Sequence, residues 1–188
     1  SGLVGSEMCI RDREKGVPLP EKPVMLTFDD GYYNNYYYAF PLLEEYDAKI
    51  VISPICRYTD EYSQAEDAHP NYSHITWDNI NEMIDSGRVE IQNHSYNMHS
   101  YDGKRVGAKR MKGESDLDYE AAFTQDLTRA QERIRQMTGW TPTCFAYPFG
   151  AISDGTQTML KTMGFQSSMT CESHTLSLIH ISEPTRPE

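Results

Sequence analysis

Short apolar runs alternate with longer stretches of helical periodicity through most of the chain. Val24 to Phe28 (VMLTF), Lys49 to Ile55 (KIVISPI), Val89 to Gln92, Cys144 to Tyr147 and Gln166 to Cys171 each have the length of a buried strand. Helical segments are predicted between them: around Tyr36 to Tyr46, Thr76 to Ser86, Leu117 to Met137 and Thr156 to Met163. Thr76 suits an N-cap and Gly87 a stop. The longest helix spaces Leu117, Ala121, Leu127, Ala130, Ile134 and Met137 as one apolar face and ends at Gly139. Strands alternating with helices predict an α/β fold with a parallel sheet, open or closed into a barrel. In either case the loops after the strand C-termini build the site.

The polar residues gather at those loops. Asp29-Asp30-Gly31 ends the first strand, Asn93-His94 ends the third with His99 shortly after, and Pro148-Phe149-Gly150 follows the fourth. Two adjacent aspartates raise one another's pKa, and a bound cation relieves that cost. Two histidines supply neutral nitrogen ligands, and two His with one carboxylate leave coordination positions open for water and substrate. Zinc is the plainest ion for such a set, with cobalt, nickel, manganese and iron also fitting. Taken singly, Asp-Asp-Gly reads as a turn and a His pair as a solvated loop. His69, His74 and His174 are expected to lie in such loops.

Composition changes the picture at the two ends. The runs Leu3 to Asp12 (LVGSEMCIRD) and Leu176 to Arg186 (LSLIHISEPTR) read as translated sequencing-adapter DNA. The reverse complement of codons for the first encodes most of the second in a shifted frame. Residues 1–13 and 176–188 are therefore expected to be non-native, with one domain over 14–175. Without Arg11, Arg13, Arg186, Glu7, Asp12, Glu183 and Glu188, 14 basic residues face 24 acidic ones. That balance argues against nucleic-acid binding. The basic run Lys104 to Lys112 reads as a solvated loop. With Cys9 in the first end run, Cys56, Cys144 and Cys171 remain, an odd number, and are expected to be core thiols. No apolar stretch is long enough to span a membrane.

At this point the residues resemble a known family. Thr27-Phe28-Asp29-Asp30-Gly31 resembles the first motif of the NodB-homology polysaccharide deacetylases, carbohydrate esterase family 4. Asn93-His94-Ser95 with His99 is similar to the second motif, and Phe145-Ala146-Tyr147-Pro148-Phe149-Gly150 to the third. The resemblance implies a distorted, incomplete (β/α) barrel. It implies metal ligation by Asp30, His94 and His99, Asp29 as general base, and the Phe149 backbone N–H as oxyanion donor. Tyr32, Tyr33, Tyr147 and Pro148 are the candidate substrate contacts; stacking on sugar rings is the functional reading of Tyr32 and Tyr33, whereas Tyr37 and Tyr38 suit packing of the helix. The implied substrate is an acetylated polysaccharide of GlcNAc type, handled by a monomer outside the cell or at its surface.

This chain departs from the family's pattern in three places. His94 and His99 are five residues apart where the usual spacing is four, so either the intervening loop bulges by one residue or the second ligand differs, and His99 is the residue chosen. Ala146 stands where many members carry an arginine that orients the base, and Phe149 replaces a common tyrosine. The fourth and fifth motifs, including the Leu-x-x-His general acid, are not found before residue 175, and Leu178 to His180 lies in the adapter run. Two other readings share the site: an O-acetyl (xylan-type) esterase, and a non-catalytic, metal-stabilised carbohydrate-binding domain.

Overall fold

The computed structural model describes residues 2–3, 18, 21, 23–65, 67–101, 105–171 and 177–178. Most of both end runs, His174, His180 and Lys104 lie outside the described residues. Strands β1 (Thr27–Asp30), β2 (Ile50–Pro54) and β3 (Val89–Ile91) pair in parallel in chain order. Asn93 then bridges in parallel to Phe145 of β4 (Cys144–Ala146), and β4 pairs in parallel with β5 (Ser167–Met169). The sheet thus runs β1-β2-β3-β4-β5, with helices between the strands. Ser177–Leu178 adds an antiparallel pairing to β5, and Gly2–Leu3 pairs with Pro23–Val24. This is the expected incomplete α/β barrel.

The helices are α1 (Phe40–Glu45), α2 (Cys56–Ala65), α3 (Trp77–Asp85), α4 (Asp116–Thr138) and α5 (Thr156–Thr162). Thr76 caps α3 in a reciprocal capping box with Asn79, as its sequence position predicts. Gly139, in the left-handed region, ends α4. The helix predicted from Tyr36 instead begins as a π-helical turn over Asn35–Ala39 before α1. Pro41 at the start of α1 has no N–H to offer the preceding turn, and a wider turn accommodates it. Helix α2 was not predicted, because its polar run buries only Cys56 and Thr59.

Two expected burial patterns shift. The first strand starts at Thr27 rather than Val24, and its residues alternate between exposed and half-buried. Among the described residues β1 pairs only with β2, so it is an edge strand and not a doubly covered one. On α4, Leu117 is 78% exposed, and the buried face is Tyr119, Phe123, Leu127, Ala130 and Ile134. The aromatic pair Tyr119 and Phe123 sets the phase of that face.

Two apolar clusters result. Ile50, Ile52, Ile80, Met83 and Ile91 pack between the first three strands and α3, joined by Ala130 and Ile134. Phe123 and Leu127 join Phe145, Tyr147, Leu160 and Phe165 in the second. Helix α4 therefore couples both halves of the barrel. Cys56 and Cys144 are buried thiols as expected, but Cys171 is exposed.

Candidate metal centre

The C-terminal ends of β1, β3 and β4 bring three sharp bends together. Among the described residues, Asp30, Ser95 and Phe149 are three of the four non-glycine residues with positive φ, at 70°, 73° and 57°. Such conformations cost energy for residues with a Cβ and persist where surrounding structure over-determines them. The bend at Asp30 turns its carboxylate inward. It depends on Gly31, also at positive φ, where an added Cβ would meet Pro54 Cβ at 2.7 Å.

His94 Nε2 lies 3.3 Å and His99 Nε2 3.0 Å from Asp30 Oδ1. The three ligand atoms lie within 4.8 Å of one another. His94 Nδ1 is 2.8 Å from the Ala146 carbonyl oxygen, which can only accept, so Nδ1 carries the proton. In a neutral imidazole Nε2 then presents a lone pair to Asp30 Oδ1. That oxygen is buried and has no hydrogen-bond partner. A lone pair aimed at an unpaired carboxylate oxygen is repulsive unless a cation sits between them. The donor set therefore fits a divalent metal ion.

Burial pushes the Asp30 carboxyl up, but the imidazoles of His94 and His99, when protonated, outweigh it and hold it well below the ordinary range. Asp29 keeps solvent contact at the sheet edge. Desolvation by the surrounding strands nevertheless pushes its carboxyl up, against the opposing pull of His94. The two neighbouring aspartates are thus shifted in opposite directions.

The five-residue spacing of the histidines is accommodated by an arc over residues 95–98. Ser95 in the left-handed region turns the chain, its N–H donates to Asn93 Oδ1 at 2.8 Å, and its hydroxyl accepts from the Met98 N–H at 3.0 Å. The bulge required by the spacing is therefore present, and His99 meets Asp30.

After β4, Pro148–Gly150 forms a short 3-10 turn. Gly150 N–H donates to Tyr147 O and Ala151 N–H to Pro148 O, leaving the Phe149 N–H as a first-turn donor with no backbone acceptor among the described residues. The Phe149 ring packs in tilted contact with His99 at 4.1 Å and with Tyr101 at 4.2 Å between centroids. Tyr101 is exposed beside the centre; its place two residues after His99 was the available signal.

The predicted substrate contacts separate. Tyr32 is exposed next to the centre, and Tyr33 is half-buried against Tyr36. Tyr147 is 2% exposed, and its hydroxyl donates to Thr156 Oγ1 at 2.9 Å, so its side chain belongs to the core. Pro148 is buried as well. The packing expected of Tyr37 and Tyr38 is not found, since both are exposed. His69 is exposed as expected, whereas His74 is buried among Tyr32, Tyr58 and Tyr62 and burial lowers its pKa. Backbone pairing of Tyr32 with His74 brings this ring in, a long-range contact with no local signature. In the basic run, Arg105 pairs with Glu114 and Arg110 with Asp116, so the charge of those two arginines is answered nearby.

Residues 16–168 match the polysaccharide deacetylase family, and the chain belongs to it. The poly-beta-1,6-N-acetyl-D-glucosamine N-deacetylase of Escherichia coli K12 is 26% identical over 183 residues, covering 87% of this chain and 27% of that protein. This chain thus spans about a quarter of that relative's length. A de-N-acetylase from Aggregatibacter actinomycetemcomitans superposes with a TM-score of 0.79 at 27% identity, covering 96% of this chain and 75% of that one. The deacetylase domain of BpsB from Bordetella bronchiseptica gives 0.78 at 29%, covering 94% and 74%.

Proposed function

We propose that this chain is the deacetylase portion of an enzyme that hydrolyses N-acetyl groups on a β-1,6-linked GlcNAc polymer, using a divalent ion, zinc before the others, held by Asp30, His94 and His99. The observation that carries the reading is the convergence of those three ligand atoms beside Asp29. The names of the E. coli and Aggregatibacter relatives support N-deacetylation over ester cleavage.

When bound, the ion would polarise the acetamide carbonyl and make water acidic enough to attack near neutral pH. Asp29, whose carboxyl burial makes more basic, takes the proton of the attacking water. The Phe149 N–H donates to the oxygen on which negative charge develops. Phe149, packed against His99, holds that turn against the metal loop. Tyr32 and Tyr101 flank the centre as exposed rings on which sugar faces can stack. The carbon–nitrogen bond then breaks as the proton taken by Asp29 is returned to the nitrogen, giving acetate and a free amine. The polymer places the reaction outside the cytoplasm, and the chain acts there as a monomer.

The test is acetate release from poly-β-1,6-GlcNAc by the zinc-loaded protein, beside acetylated xylan. Release from the glucosamine polymer alone supports the reading. Release from xylan alone contradicts it, and binding with no release favours the non-catalytic alternative.

A further inference from the structure

Four polar backbone groups of the 95–98 arc are tied to helices. The carbonyls of Ser95 and Tyr96 accept from Cys56 N–H at 3.3 Å and Arg57 N–H at 3.1 Å, the first amides of α2. The other side of the arc faces α4. There Asp126 Oδ1 accepts from Tyr96 N–H at 2.8 Å and Oδ2 from Asn97 N–H at 3.0 Å. Two successive N–H groups following a left-handed residue form an anion-binding concavity. In this protein its occupant is a side chain of the same chain, half-buried on a helix anchored in both apolar clusters. The Arg129 guanidinium lies over the Tyr96 ring at 3.6 Å and closes the same contact from outside.

We infer that Asp126 is a positioning residue for the metal centre: its carboxylate fixes the arc so that His99 reaches Asp30 despite the five-residue spacing. Asp126 touches no ligand atom. It acts through two amides that lie between the histidines in sequence, and its carboxylate offers one oxygen to each. Removing it leaves two donors without their acceptor and a turn free to relax. His94 would keep its own anchor at Ala146, so the loss should fall on the His99 contribution.

The inference rests on Asp30, His94 and His99 being metal ligands, and the experiment separates the two claims. Zn²⁺ affinity of the 188-residue chain is measured by competition with a chromophoric chelator, together with thermal unfolding, for the parent and for Asp126→Ala, Asp126→Asn and Ile134→Val. Asp126→Ala should weaken Zn²⁺ binding by roughly 10- to 100-fold, as loss of a residue supporting metal ligands does. Asp126→Asn, which keeps the shape and one acceptor, should weaken it less. Ile134→Val should lower the melting temperature and leave affinity unchanged. Affinity of either Asp126 variant within twofold of the parent, or equal affinity loss in Ile134→Val, overturns the inference. A parent that binds no Zn²⁺ overturns the metal reading itself, and this inference with it.

Discussion

His94 and Ala146 are joined by a hydrogen bond of 2.8 Å from the imidazole Nδ1 to the backbone carbonyl oxygen, and this bond decides which nitrogen faces Asp30. The acceptor belongs to the main chain of β4, so the side chain at 146 is not needed for it. Ala146 stands where many relatives carry arginine, and the tautomer of His94 survives that difference. Replacing His94 by Gln should keep a polar side chain in the space while removing the aligned lone pair. We expect at least a tenfold loss of Zn²⁺ affinity by chelator competition, with little change in the far-ultraviolet circular dichroism.

Asp29 should separate from the ligands in its effect. An Asp29→Asn variant should bind Zn²⁺ like the parent and lose roughly 10²- to 10⁴-fold in kcat for acetate release, the range for removing a general base. Parallel losses of affinity and rate would make Asp29 a ligand instead.

Gly31 and Gly87 offer a matched pair for the bend after β1. Both have positive φ, at 71° and 69°, but a Cβ at 87 would meet nothing within 4 Å, whereas one at 31 would meet Pro54. Gly87→Ala should cost only the conformational penalty, about 1 kcal/mol. Gly31→Ala should cost several times as much, because β1 and β2 must also separate. Urea unfolding of the two variants measures the difference.

The legible and illegible parts of the chain differ in range. Strand ends, the cap at Thr76 and the stop at Gly139 are local chemistry, and the sequence carries them directly. Asp29-Asp30, His94 and His99 were readable because each follows a strand that the apolar pattern marks. Helix α2 was missed because it is held by contacts at its N-terminus and by Asp60, not by an apolar face. Leu117 was misassigned because apolar spacing alone cannot say that Tyr119 and Phe123 set the phase. Asp126 and His74 become informative only when distant segments meet, Asp126 with the arc and His74 with Tyr32.

Asp60 accepts from Trp77 Nε1 at 2.8 Å, Arg133 Nε at 2.7 Å and the Tyr96 hydroxyl at 3.1 Å, tying α2, α3, α4 and the metal loop to one carboxylate. Its side chain is 15% exposed. Asp60→Ala should destabilise the fold by about 2–3 kcal/mol through the donors left unpaired. A change below 0.5 kcal/mol in thermal or urea unfolding would show that water replaces the carboxylate.

The thiols should divide by burial. Desolvation pushes Cys144 up to about 12 and Cys56 higher still, so neither forms appreciable thiolate below that range. Iodoacetamide at pH 8 should therefore modify exposed Cys171 in the folded protein, and Cys56 and Cys144 only after denaturation. Peptide mass spectrometry reads the sites.

The central claim is that Asp30, His94 and His99 hold one divalent ion, and calorimetric titration of the metal-stripped chain with Zn²⁺ tests it most directly. One equivalent should bind to the parent, and the His99→Ala variant should bind at least tenfold more weakly. No binding by the folded parent, or binding undiminished in that variant, would contradict it.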